Sequence, residues 1–206
     1  LSEVKHELIL QETLRNLYDG MPILEIDKAL IISARTLVEQ DPNYTYATAR
    51  FLLRTLYTEA LDFLELPTAV YTNNHAGVYH HYFQHYIKRG VALELLDPQL
   101  RSFDLEKLGK ALLPERDQQF TYLSLQTLYD RYFLHADDVR FELPQAFFMR
   151  IAMGLAQQES NKEDRAIEFY QLLSSFDYMA STPTLFNAGT LRPQLSSCFL
   201  TTVADD

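Results

Sequence analysis

Ser181-Thr182-Pro183-Thr184-Leu185-Phe186-Asn187-Ala188-Gly189-Thr190-Leu191-Arg192-Pro193-Gln194-Leu195-Ser196-Ser197-Cys198-Phe199-Leu200 is the stretch on which the fold turns. Its first half, residues 181–190, is polar and punctuated by Pro183 and Gly189, which predicts a turn-rich loop. Its second half runs on into Thr201-Thr202-Val203. Residues 197–203 are rich in β-branched and apolar types and predict a strand. Cys198, the one cysteine of the chain, sits early in that strand. A single strand cannot pair with itself, so this one calls for a sheet beyond the 206 residues.

Upstream the pattern is helical. Residues 2–17 predict a first helix, with Gly20 as its C-terminal cap. Residues 23–39 predict a second, with Ile26, Leu30, Ala34 and Leu37 on one face. Asp41-Pro42-Asn43 stops it. A third helix carries Tyr46, Ala49, Leu53, Leu56, Ala60 and Leu64 in one stripe and ends at Pro67. Residues 68–90 read as a connector with a turn at Asn73-Asn74 and a short aromatic helix over 78–88 that Gly90 closes; Asp97-Pro98 marks another turn. From Asp104 helices resume. Residues 121–133 form one, His135-Ala136-Asp137-Asp138 a loop, and Pro144 the first position of the next. Ser160 and Glu163 stand in capping-box spacing before a helix that turns Ile167, Tyr170 and Leu173 inward and ends near Phe176.

Bulk composition narrows the function classes. Hydrophobic residues make up 47% and charged residues 22%, as in a globular chain with a core. The formal net charge of −10, without a basic run, argues against a nucleic-acid partner. No apolar run is long enough to span a bilayer, which argues against a membrane partner. One cysteine allows no internal disulfide, and the N-terminus shows no signal-peptide pattern. The expectation is a cytoplasmic piece of a longer protein.

Taken alone, Cys198 reads as a buried structural thiol, because free cysteine is among the most buried residue types. The run S-T-P-T-L-F-N-A-G-T-L-R-P-Q-L-S-S-C-F-L changes that weighing. It resembles the segment that opens the catalytic barrel of class I ribonucleotide reductase large (alpha) subunits. Phe120-Thr121-Tyr122 and Ala146-Phe147-Phe148 resemble the all-helical domain of that family. Asp41-Pro42-Asn43-Tyr44-Thr45-Tyr46 and Ala49-Arg50 resemble the C-terminal portion of its ATP cone.

The resemblance implies a mainly α fold of bundle-like helical domains, with one C-terminal strand belonging to an α/β barrel that is truncated here. It implies a degenerate cone-like domain over 1–66, a connector over 67–103, an all-alpha domain over 104–180 and the start of the barrel over 181–206. Cys198 matches one of two thiols that reduce the substrate ribose, its partner cysteine lying outside the chain. Thr182 and Ser197 match substrate-binding positions, suited to phosphate because hydroxyls and loop N–H groups donate without charge. Asp205 matches the start of the effector site, and Asp206 shares that role or is a charged strand end; carboxylates there accept from ribose or base, or hold a metal.

The whole family subunit reduces ribonucleoside diphosphates by thiyl-radical chemistry, for DNA precursor synthesis. It works as a homodimer with a radical-generating small (beta) subunit, with thioredoxin or glutaredoxin as reductant. Its effectors are ATP, dATP, dTTP and dGTP with Mg. This chain alone is expected to bind no cofactor and to be inactive. Its cone departs from the pattern: a hydroxyl is expected where Pro22-Ile23 stand, and a base near Thr58-Glu59. The competing class is a helical regulatory or oligomerisation module sensing ATP or dATP.

His75, His80, His81 and His85 raise zinc as a third possibility, since His81 and His85 share a helix face. No Cys, Asp or Glu stands at ligand spacing, so they read as surface or packing residues, with no metal. Tyr79, Tyr82, Phe83 and Tyr86 read as core.

Overall fold

The computed structural model describes residues 4–67 and 75–203. Among these the helices are α1 (His6–Asn16), α2 (Ile23–Thr36), α3 (Tyr44–Phe63), α4 (His75–Ala92), α5 (Leu105–Ala111), α6 (Tyr122–Arg131), α7 (Pro144–Ala156), α8 (Lys162–Ser174) and α9 (Thr182–Asn187). A two-stranded antiparallel hairpin, β1 (His135–Ala136) and β2 (Val139–Arg140), forms the one sheet among the described residues. The fold is mainly α. No described helix is long and apolar enough to cross a membrane.

The chain makes two compact units that interleave in sequence: Leu1–His75 with Pro114–Leu143, and Ala76–Leu113 with Pro144–Asp206. In the first, α1, α2 and α3 pack around Val4, Ile9, Ala34, Leu37, Tyr44 and Ala47. Of the expected α3 stripe, Ala49, Leu53, Leu56 and Ala60 are buried, while Tyr46 and Leu64 at its ends are half-buried. The helix stops before Pro67. Glu65 turns left-handed (φ 56°), and the Leu66 N–H donates to the Leu61 carbonyl at 2.9 Å, a six-to-one closure. Likewise α1 ends at Asn16, and Gly20 serves a separate turn at φ 85° rather than capping it.

Between β1 and β2, Asp137 and Asp138 both adopt positive φ (49° and 64°), the geometry that a two-residue hairpin demands. The stretch expected to be a plain loop is therefore a hairpin. The buried Glu142 carboxylate accepts the Leu134 N–H at 3.0 Å at its base. Phe141 stacks on Phe63 at 5.0 Å. Helix α6 begins where Thr121 accepts the Ser124 N–H. It joins α3 through the Tyr122 N–H, which donates to Thr45 Oγ1 at 3.0 Å.

The second unit is built around α7, buried from Pro144 through Met153 and at Ala156. A helix buried on nearly all sides belongs in the middle of its unit. The Gln145 N–H, near the N-terminus of α7, donates to the Tyr79 hydroxyl at 3.1 Å. The Tyr170 hydroxyl donates to Gln145 Oε1 (2.7 Å) and accepts the Leu113 N–H (2.8 Å). Tyr79, Tyr82, Phe83 and Tyr86 are all buried.

Three expectations need correction here. Helix α4 continues through Gly90 to Ala92; a Cβ at Gly90 would lie 2.5 Å from Leu96 Cδ1, so glycine is there for packing. The Ser160–Glu163 capping box does not form at α8, which starts behind Asn161 without a side-chain cap; Glu163 instead accepts the Asp104 N–H at 3.3 Å. Residues 182–187 are helical, not loop, because Pro183 in the first turn already holds a helical φ.

The expected strand over 197–203 is absent as well: the segment carries no strand and is exposed throughout. β-propensity without a neighbouring strand makes no sheet. Asp205 and Asp206, and the expected Asn73-Asn74 turn, lie outside the described residues.

Candidate functional site

The hydroxyl-rich stretch is docked firmly by contacts within the second unit. At its centre is Arg150, whose side chain is fully buried on α7. Its guanidinium donates to the carbonyls of Ala188 (2.7 Å), Leu185 (3.3 Å) and Phe186 (3.4 Å), at the C-terminal end of α9. A cation suits that end, where carbonyls lack helical partners. The guanidinium also lies 5.2 Å from the centre of the Phe147 ring.

Two glycines bring the backbones together. A Cβ on Gly154 would stand 2.2 Å from the Gly189 nitrogen, and one on Gly189 (φ 75°) would stand 2.6 Å from the Arg150 carbonyl oxygen. Beyond them the chain is pinned to residues 95–97. The Asp97 N–H donates to the Gly189 carbonyl (3.1 Å), the Leu191 N–H donates to the Leu95 carbonyl (3.2 Å), and Leu96 bridges Thr190.

After Gln194, whose carbonyl accepts from Asn187 Nδ2 at 2.7 Å, the chain runs out into solvent. Phe199 is 73% exposed, Leu200 104% and Val203 84%. Ser197 is exposed, and so is Cys198, a free thiol. Thr182 is exposed on a different element, the first turn of α9. The structure thus gives Thr182 a rigid base, and leaves Ser197 and Cys198 uncovered. Among the described residues nothing covers Cys198, so it is no part of the helical core.

Arg150 and Gly154 were missed as candidates. The signals were a charge inside the apolar run Phe147-Phe148-Met149-Arg150-Ile151-Ala152-Met153, and a glycine inside a helix.

The first unit holds a different polar centre where the cone-like pattern wanted a base. The Tyr129 hydroxyl donates to the half-buried Glu59 carboxylate, with the two oxygens at 2.8 and 2.9 Å. Burial pushes the Glu59 carboxyl above its usual range against the pull of Tyr129, Arg140 and Lys28. Burial and the Glu59 bond push the Tyr129 phenol up too, so it stays a donor. Arg140 covers the Tyr129 ring at 4.9 Å and donates to the Tyr129 carbonyl at 3.1 Å.

On α4, His85 Nδ1 stands 2.8 Å from the His81 carbonyl oxygen, and both rings are exposed. Among the described residues no three His, Cys, Asp or Glu side chains gather as a metal site. The His75 side chain lies outside those described.

An all-helical unit clamps the hydroxyl-bearing segment that begins with α9, and residues 118–193 match the family described as "Ribonucleotide reductase, all-alpha domain". The chain is 45% identical over 192 residues to the ribonucleoside-diphosphate reductase subunit alpha of Chlamydia muridarum, covering 93% of this chain and 18% of that protein. It is 40% identical to the subunit alpha of Helicobacter pylori (91% and 22%) and 31% identical to the large subunit of vaccinia virus (96% and 24%). The chain belongs to the ribonucleotide reductase large-subunit family. It spans about a fifth of the length of these relatives.

Proposed function

We propose that this chain is part of a class I ribonucleoside-diphosphate reductase large subunit, and that it contributes one redox thiol and part of the substrate-binding loop. The observation that carries this reading is a clamped, hydroxyl-bearing segment, α9 and the residues after it, that leads on to Cys198. Thiol chemistry needs access, which this reading requires of Cys198 in the complete subunit.

In the complete subunit a thiyl radical on another segment takes the ribose 3′ hydrogen. The 2′ oxygen leaves as water. Cys198 and a second cysteine supply two electrons and two protons and end as a disulfide, which thioredoxin or glutaredoxin reduces. The 3′ hydrogen is then returned. Thr182 and Ser197 donate hydrogen bonds to the ribonucleoside diphosphate. Asp205 and Asp206 open the effector site of the homodimer. Their carboxylates suit ribose, base or a Mg ion rather than phosphate directly. The radical comes from the small subunit, and a cytoplasmic setting keeps the thiols reduced. The chain alone lacks the remaining catalytic parts and is inactive.

The cone-like unit acts as packing rather than as a nucleotide sensor, and Glu59 favours this. A half-buried carboxylate where a phosphate needs a cation is repulsive. The test is C198S in the complete subunit, with ATP and dATP titrated onto the 206-residue chain. Multiple-turnover reduction is expected to vanish, and the titrations to show no saturable binding. Undiminished turnover overturns the thiol role; saturable micromolar ATP binding overturns the packing role.

A further inference from the structure

We infer that Arg150 is a positioning residue for diphosphate binding, acting through the short helix α9. The inference rests on the reductase reading above and adds to it the part that sets where Thr182 stands.

A guanidinium on the most buried helix of the unit is costly to place. Burying a cation is tolerated only when its donors are satisfied. An aliphatic side chain would fill the same volume without that cost. The structure nonetheless places Arg150 in the interior and aims it at the carbonyls of Leu185, Phe186 and Ala188. These carbonyls end α9, and Thr182 begins it. The helix is six residues long, so it spans only about 9 Å and moves as one body.

Gripping one end therefore fixes the other. The grip has a definite location too. The Arg150 carbonyl lies where a Cβ on Gly189 would collide, and Gly154 one turn along α7 admits the Gly189 backbone. Arg150 does not reach substrate; α9 carries its effect to Thr182 at the opposite end.

Lysine at this position keeps the charge but offers one compact ammonium where the planar fork spans three carbonyls. The experiment compares wild type with R150K, and with R150M as a charge-free partner, in the complete reductase subunit assayed with its small subunit on a ribonucleoside diphosphate. R150K is expected to raise KM about tenfold while kcat changes less than about threefold, since the loop holds the diphosphate and not the reacting carbon. Amide hydrogen exchange on the same proteins reads the loop directly. The amides of Leu185, Ala188 and Thr190 lose protection in R150K, while those of α8 keep theirs.

Should R150M fail to fold, R150K carries the test alone. The proposal is overturned if those amides open in R150K and KM stays at the wild-type value. It is overturned equally if protection is lost throughout α7 and α8, which makes Arg150 a general core residue. A wild-type subunit that reduces no ribonucleoside diphosphate sinks the reductase reading, and this inference with it. A working wild type whose KM is matched by R150K sinks only this inference.

Discussion

The two units bury polar groups for different ends. In the first, buried side chains tie mostly to one another, with Glu142 taking a single N–H, that of Leu134, at the base of the hairpin. The Tyr57 hydroxyl donates to the buried Asp117 carboxylate at 2.7 Å, and Tyr129 donates to Glu59. In the second, the most deeply set charge ties to main chain: Arg150 holds three carbonyls of α9. The Tyr129–Glu59 tie joins α6 to α3, helices that are already regular. A side-chain-to-backbone clamp fixes a segment whose own six-residue helix is too short to persist by itself. The difference sets a unit of mutually tied helices apart from one that grips a short terminal segment.

The contrast is most open to attack at Gly154. G154A adds a Cβ 2.2 Å from backbone, which no side-chain rotation relieves. It is expected to cost about 3 kcal/mol or to expel residues 188–190 from their seat. The urea midpoint and the amide exchange of Thr190 report which. A wild-type midpoint together with wild-type exchange would remove the idea of a tight clamp.

The first unit should fail more gently. D117A leaves the Tyr57 hydroxyl without this acceptor in a buried place, for an expected loss of about 2 kcal/mol in urea unfolding. The amides of residues 185–190 should keep their protection. Opening of those amides in D117A would blur the division of labour between the units.

The smallest effect concerns Glu59. Its folded pKa lies above the unfolded value, so its contribution to stability is complete below the unfolded pKa and is lost as pH rises through the folded one. E59Q should remove that dependence, flattening urea midpoints measured from about pH 4 to about pH 7. An unchanged slope in E59Q would place the titration elsewhere.

What was legible in the sequence was mostly local. Thr121 and Pro144 announce their helices because caps and first-turn prolines act within one turn. Asp41-Pro42-Asn43 makes the break before α3, with Asp41 Oδ1 accepting the Asn43 N–H at 2.9 Å, while α2 itself already ends at Thr36 and tightens into a 3-10 turn over Leu37–Glu39. What escaped depended on partners far along the chain. Gly90 looks like a helix end until Leu96 is seen against it. The Asp137–Asp138 hairpin has two-residue strands, too short to show a period. Of the candidate site, Thr182, Ser197 and Cys198 come from the resemblance to the reductase family, whereas Arg150 points at carbonyls, which every residue has and no sequence displays.

The interleaving of the two units also bears on how the polypeptide comes off the ribosome. Residues 4–67 reach solvent early, yet their unit is complete only when Pro114–Leu143 has followed. Helices α4 and α5 emerge in between and must wait for α7 and α8. At about 5–20 residues per second that wait lasts several seconds. During it the buried aromatic face of α4, with Tyr79, Tyr82, Phe83 and Tyr86, has no α7 to cover it. Nascent chains stalled before α7 are thus the species in which chaperone capture is most to be expected.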